Sequence, residues 1–248
     1  MGAYLSGYER TAHLYDLFDD KENIEFFAHY AEPGGEILDV GAGTGRIAIP
    51  LAERGISVVC VEPSPAMRDQ LRRKLARRPG LAGRITILPG DATSFRLGRT
   101  LPTAFLSGVF DHFIDAKGRL ASLRNVGQHL VPGGNLVFDV FLGLMGDSPL
   151  AAAGRVQRGG IEYRRLVGRR TLPNHQVEVT LVFKAYRSGV LVEQIEDMSI
   201  VGIVDRGQLY DLLPQAGFSI RREFSGYDFT PFSEDGELLI VEAVYQPH

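Results

Sequence analysis

The chain has 248 residues, 44% of them hydrophobic, and a formal net charge of −3 from 27 basic and 30 acidic side chains. That length and apolar content suffice for one large α/β domain, or one domain carrying an insertion. The near-neutral balance supplies no global field to gather a nucleic acid or an anionic membrane. No run of about 18 apolar residues exists, and MGAYLSGYER lacks the basic start and apolar centre of a signal peptide, so a soluble, cytoplasmic protein is expected. The single cysteine, Cys60, lies in the apolar run Val58 to Val61 and is expected to be a core thiol. The six histidines form no Cys/His cluster at metal-ligand spacing, so no metal site is expected.

From the N-terminus, Leu14, Leu17, Phe18, Ile24, Phe26, Phe27 and Tyr30 recur at roughly helical spacing before the stop Pro33-Gly34-Gly35. They predict two helices, a segment over residues 1–35 that packs on a sheet edge or folds over a site as a lid. Tyr4, Tyr8 and Tyr15 carry polar tips that a buried wall would have to satisfy. A strand–helix rhythm follows: strand Glu36–Val40, helix Thr44–Arg54, strand Ser57–Glu62, helix Pro65–Arg78 and strand Ile85–Pro89. Ser64 reads as an N-cap with Pro65 at the first helical position. Pro50, inside its helix, should forfeit a bond to Arg46 and kink it. Arg68, Arg72, Arg73, Lys74, Arg77 and Arg78 read as a solvated face opposite Met67, Leu71 and Leu75.

Ala104–Ser107 then predicts a fourth strand, Asp115–Leu130 a helix and Asn135–Phe141 a fifth strand, completing a core over residues 36–150. Between Arg155 and Val204 the period changes to alternation, predicting an antiparallel meander of about three strands as an insertion over residues 151–204. Helix Arg206–Ala216 and strands Phe218–Phe224 and Glu237–Tyr245 return residues 205–248 to the core. The fold expected is a mostly parallel, doubly wound α/β sheet of Rossmann-like type.

The stretch EILDVGAGTG, Glu36 to Gly45, joins a buried strand to a helix through Gly41, Gly43 and Gly45. Such a turn lets backbone approach a ligand and is expected to aim free N–H groups at it. The dinucleotide fingerprint G-x-G-x-x-G needs a third glycine where this chain has Arg46, which argues against an NAD-dependent oxidoreductase without removing that alternative. Glu62 ends the second strand, where a carboxylate can accept both hydroxyls of a ribose. Asp91, in LPGDATSF after the third strand, can accept from an adenine amine.

ILDVGAGTGRIAIPLAERG, VVCVEPSPAM, ITILPGDATSF and HLVPGGNLVFDVF together resemble the class I S-adenosylmethionine-dependent methyltransferases from about Glu36 to Phe141. The resemblance implies a seven-stranded sheet whose last strand is antiparallel, and S-adenosyl-L-methionine as cofactor. It places Asp39, Gly41, Ala42 and Gly43 around the methionine moiety, Glu62 and Pro63 at the ribose, Asp91 and Ala92 at the adenine, and Ser107 and Gly108 at the amino-acid end. YDLF at Tyr15, FRLGR at Phe95, GYDFTPFSEDGELLIVEA near the C-terminus and the antiparallel insertion resemble bacterial small-molecule methyltransferases of secondary metabolism, the sugar-amine N-methyltransferases among them. Leu101-Pro102-Thr103 departs from that pattern, which often has an acidic residue there.

Methyl transfer is mostly alignment, and a base matters according to whether the acceptor is an amine, a hydroxyl or an aromatic carbon. His112, in SGVFDHF after the fourth strand, is the candidate base, and Tyr15 a second catalytic candidate. Asp111 is expected to cap the following turn or to orient a substrate. The arginines of the insertion, Arg155, Arg158, Arg164, Arg165, Arg169 and Arg170, are expected on a wet face; turned inward they would suit an acidic acceptor. The partner expected is a small-molecule acceptor rather than nucleic acid or membrane, and the insertion also suits a homodimer. A cofactor-binding protein without turnover is the third alternative.

Overall fold

Ile37, Leu38 and Val40 in β1 (Glu36–Val40) and Val58, Val59 and Val61 in β2 (Ser57–Glu62) are each at most 2% exposed, as in strands covered on both faces. The structure, a computed structural model, describes residues 8–18, 23–32, 35–142 and 146–247. The readings at Tyr4 and at Pro33-Gly34, and any reading of the Tyr8 side chain, lie outside the described residues. β3 (Ile85–Pro89), β4 (Leu101–Leu106) and β5 (Leu130–Phe141) extend the sheet in parallel, giving the order β3-β2-β1-β4-β5. β11 (Leu238–Tyr245) runs antiparallel between β5 and β10 (Phe218–Phe224), completing seven strands. This is the expected doubly wound sheet.

Core helices α3 (Ala48–Glu53), α4 (Pro65–Ala76), α5 (Ala116–Gly127) and α6 (Arg206–Gln215) connect these strands, and their starts follow from capping chemistry. Ser64 Oγ accepts from the Met67 N–H at 3.2 Å, Asp115 Oδ1 from Gly118 at 2.7 Å and Asp205 Oδ1 from Gln208 at 3.2 Å. α3 begins four residues later than expected, at Ala48, because positive-φ Gly43 and Gly45 keep the preceding chain in turns. Pro50 therefore falls in the first turn of α3, where the N–H groups on either side bond the Gly45 and Ile47 carbonyls at 3.0 and 3.2 Å and the bond to Arg46 is the one forfeited, at the helix start rather than in its interior.

The insertion has four strands rather than about three: β6 (Ser148–Arg158), β7 (Ile161–Leu172), β8 (Gln176–Arg187) and β9 (Val190–Gly202), antiparallel in that order. Two register shifts in β6, and its run Ala151-Ala152-Ala153-Gly154, erased the alternation that announces a strand. The N-terminal segment forms α1 (Tyr8–Tyr15), a 3₁₀ turn Asp16–Phe18 and α2 (Ile24–His29). Leu14 and Phe18 pack with Phe183 of β8, and Thr11 donates to Asp197 of β9 at 3.0 Å. From the same segment Asp16 meets Lys74 of α4 at 2.9 Å. The segment thus ties the second sheet to the first.

Candidate active site

The glycine turn differs electrostatically from expectation. The Gly41 and Ala42 N–H groups both donate to the Val61 carbonyl, at 2.7 and 3.2 Å, Gly43 donates to Glu62 Oε2 at 2.8 Å, and Gly45 to the Ala42 carbonyl at 2.8 Å. The four donors are consumed by the protein, so the turn offers a ligand space rather than an N–H cradle. A Cβ on Gly41 would stand 2.3 Å from Val109 Cγ2 and one on Gly45 2.3 Å from Leu71 Cδ1. One on Gly43 would meet nothing nearer than the Gly41 carbonyl oxygen at 4.0 Å. Gly43 is therefore the glycine that opens the turn to a ligand.

The turn forms one wall of a cavity of about 370 Å³ at the carboxyl ends of β1 to β4. Of the residues singled out in the sequence, Tyr15, Gly41, Gly43, Glu62, Pro63, Asp91, Ala92, Ser107 and His112 all line it. Asp39 and Ala42 do not; they are buried behind it, 2% and 6% exposed. Burial is the main cause that raises the Asp39 carboxyl to about 7, against the pull of Arg46, and its Oδ2 has no hydrogen-bond partner among the described residues. Met67, Thr93, Ser94, Val109 and Phe113 complete much of the wall. Their apolar or small hydroxyl side chains carry no spacing signal that would have singled them out.

Each candidate binding carboxylate is fixed from behind. Glu62 Oε1 accepts from the Ser64 N–H at 2.8 Å while Oε2 takes that of Gly43, and burial raises its proton affinity despite those bonds. Asp91 Oδ1 accepts from Thr93 N at 2.8 Å and from Thr93 Oγ1, which leaves Oδ2 for a ligand. On α5, Asn125 donates through Nδ2 to the carbonyls of Ala92 at 3.1 Å and Phe95 at 3.3 Å, holding the loop that carries Asp91. Ser107 and Gly108 are held by Asp139 of β5, which accepts from Ser107 Oγ at 2.7 Å, Gly108 N at 2.6 Å and Tyr227 Oη at 2.6 Å. Asn125 and Asp139 went unnoticed in the sequence, although a lone acid inside the apolar run Leu136 to Phe141 is a usable signal.

His112 closes the 3₁₀ turn Phe110–His112 after β4 and is half-buried, which lowers its pKa below the usual imidazole value of 6.5. Asp111 beside it neither caps the next turn nor faces the cavity. It is 6% exposed, its Oδ2 accepts from the Phe141 N–H at 3.3 Å, and burial raises it to about 7. The cap is Asp115. No Lys or Arg is among the lining residues, and no group of three or more His, Cys, Asp or Glu able to hold a metal occurs among the described residues. No helix among them is long and apolar enough to cross a membrane.

A β3-β2-β1-β4-β5 parallel core with an antiparallel β11, and carboxylates at the ends of β2 and β3, defines a nucleoside-binding α/β protein of the class I methyltransferase fold. Residues 37–134 match the model of a methyltransferase domain. The chain is 31% identical over 150 residues to an uncharacterized methyltransferase of Bacillus thuringiensis, spanning 56% of this chain and 68% of that protein. It belongs to the methyltransferase family, in agreement with the expected enzyme class and its S-adenosylmethionine cofactor. Among solved structures, the CcbJ methyltransferase from Streptomyces caelestis aligns with a TM-score of 0.83 at 19% identity, covering 99% of this chain and all of that one. CalS10 from Micromonospora echinaspora, an amino pentose methyltransferase of calicheamicin biosynthesis solved with S-adenosylmethionine bound, gives 0.74 at 18% identity over 94% and 95% of the two chains.

Proposed function

We propose that the protein methylates a nitrogen, oxygen or carbon of a small-molecule acceptor, a secondary metabolite, with S-adenosyl-L-methionine as donor. One observation carries the reading: His112 and Tyr15 share a single cavity with Glu62, Asp91 and the open Gly43. The residues fit the cofactor. Gly43 leaves room for it, Glu62 faces its ribose, Asp91 and the Ala92 backbone its adenine, and Ser107 and Gly108 its amino-acid end. A dinucleotide fits poorly, since the Gly41, Ala42, Gly43 and Gly45 N–H groups are taken by the protein and no Lys or Arg for a pyrophosphate is among the described lining residues.

When bound, the cofactor supplies a sulfonium methyl group already activated toward nucleophiles. The protein's part is alignment and proton removal. Burial keeps the His112 imidazole neutral near pH 7, so an unprotonated ring nitrogen can accept the acceptor's proton during attack. Tyr15, on α1 at the cavity rim, positions the acceptor, and the segment carrying it serves as the lid. The likeness to CalS10 supports a small polar acceptor. A homodimer built on the insertion sheet, whose β9 edge exposes Val190, Leu191 and Val192, accompanies this reading.

Calorimetry with S-adenosylhomocysteine and with NAD, followed by a screen of amine, hydroxyl and aromatic acceptors with labelled donor, tests the proposal. Binding of NAD alone would overturn it, and cofactor binding with no transfer to any acceptor would leave a non-catalytic binder. In His112→Ala, cofactor affinity should hold while turnover falls by about a hundred-fold. The wild-type rate should also drop on the acid side of an apparent pKa below 6.5, as the imidazole becomes protonated, and that limb should vanish in the variant.

A further inference from the structure

The inner face of the four-stranded sheet holds an arginine that no other described residue engages. β7 pairs with β8 without a register shift from Ile161 opposite Arg187 to Leu172 opposite Gln176, and β8 pairs with β9 without one from Gln176 to Ala185. Side chains an even number of positions apart on a strand share a face. The cross-strand rows Arg165–Phe183–Ile195 and Arg169–Val179–Ser199 therefore point the same way. Phe183 and Ile195 pack with Leu14 and Phe18, so this face is turned toward the N-terminal helices.

Along that face the rows progress toward the cavity mouth. Asp197, in the row between the two, accepts from Thr11 of α1 at 3.0 Å. At its end β9 reaches the segment that follows the His112 turn, where a Cβ on Gly202, on the opposite face of the strand, would stand 2.8 Å from the Phe113 carbonyl oxygen. Arg169 thus faces the side of the sheet on which the N-terminal helices lie, in the row next to that of Asp197.

The other arginines of this sheet are accounted for, Arg187 by its exposure at the end of β8. Arg155 and Arg164 pair with Glu162, and Arg170 pairs with Glu178 at 2.9 Å. Arg165 donates to the Ala153 carbonyl at 3.1 Å and lies over the Phe18 ring, while Arg158 is exposed at the β6–β7 hairpin. Arg169 is half-buried, and among the described residues no hydrogen bond, ion pair or ring contact engages it. A guanidinium partly withdrawn from water without a counter-charge is costly unless a ligand supplies one, and its planar fork matches a carboxylate or phosphate.

The geometry points to Arg169 as a specificity-determining residue that anchors an anionic group, carboxylate or phosphate, of the acceptor, while the reacting atom enters between Tyr15 and His112. This rests on the methyl-transfer reading above. It also explains how a cavity with no Lys or Arg among its described lining residues would receive an acidic acceptor: the charge is supplied from the sheet.

The full chain, saturated with S-adenosylhomocysteine, is titrated with inorganic phosphate, pyrophosphate and succinate at constant ionic strength. At least one should bind the wild type, about ten-fold more weakly in Arg169→Gln and unchanged in Arg158→Gln, with Arg169→Lys intermediate. Preference for phosphates over succinate, or the reverse, identifies the anionic group. Equal binding to wild type and Arg169→Gln, or binding of none of the three, overturns the assignment. If Arg169→Gln does not fold, Arg169→Lys decides: unweakened binding there is likewise fatal. Failure of the wild type to bind S-adenosylhomocysteine overturns the methyl-transfer reading instead. With an acceptor in hand, Arg169→Gln should raise KM about ten-fold with kcat nearly unchanged; a loss of kcat at constant KM returns Arg169 to a structural role.

Discussion

Two glycines of one turn, Gly41 and Gly43, are required for different reasons. Gly41 yields to Val109, an internal neighbour, whereas Gly43 has a positive φ of 54° and open space where a side chain would stand. Gly43→Ala should therefore still fold, at a cost of about 1 kcal/mol for the left-handed backbone, but its methyl would occupy the ligand's space. We expect S-adenosylhomocysteine affinity to fall about ten-fold in calorimetry while a denaturant melt shifts only modestly. Normal affinity in this variant would mean that the cofactor does not approach the turn. The glycine positions were legible because only glycine serves there. The bonding of their N–H groups was not, since the acceptors Val61 and Glu62 come from the neighbouring strand.

At the scale of elements, the loop after β3 depends on a helix 30 residues farther along. Asn125 of α5 donates to two loop carbonyls through one side-chain nitrogen, and of these only the Phe95 carbonyl has a second donor, Arg96 Nη1. Asn125→Leu should leave the Ala92 carbonyl short of a donor and the Phe95 carbonyl with Arg96 Nη1 at 2.7 Å instead, destabilise the fold by about 1–3 kcal/mol, and weaken cofactor binding through Asp91 and Ala92. A chemical melt together with calorimetry checks both. Cofactor binding equal to wild type would show that the loop holds its shape without α5. Strands and helices with strong periodicity, such as β1, β2 and α4, were readable; β6 was not, because its bulges and alanines break the alternation. The start of α3 was misplaced because helical pattern begins at Thr44, whereas the positive-φ glycines hold the backbone in turns until Ala48.

Across the whole molecule, two buried carboxyls, Asp39 and Asp111, are both raised to about 7 by burial. The folded chain keeps protons there that the unfolded chain releases from about pH 4 upward. Their contribution to stability is complete below that value and is lost as pH rises toward 7. His112 acts oppositely, since its lowered pKa costs stability as pH falls below 6.5. Comparing wild type with Asp111→Asn cancels the His112 contribution. The melting temperature of the variant relative to wild type should rise by several degrees between pH 5 and pH 8. A constant difference would mean that Asp111 is ionised throughout.

The sequence by itself determined the parallel core, the glycine turn and the order of Glu62, Asp91 and His112 along successive strand ends. Those features are local: periodicity, caps, glycine stereochemistry and spacing repeat within one strand–helix unit. Only the tertiary structure decided that Tyr15 joins that cavity, that Asp39 and Ala42 stand behind it, and that Asp111 is a buried brace on Phe141. It also decided that Arg155, Arg164 and Arg170 are paired, while no described residue engages Arg169. Each of these depends on partners distant in sequence, and burial and charge pairing are properties of how elements pack, which no single stretch of chain carries.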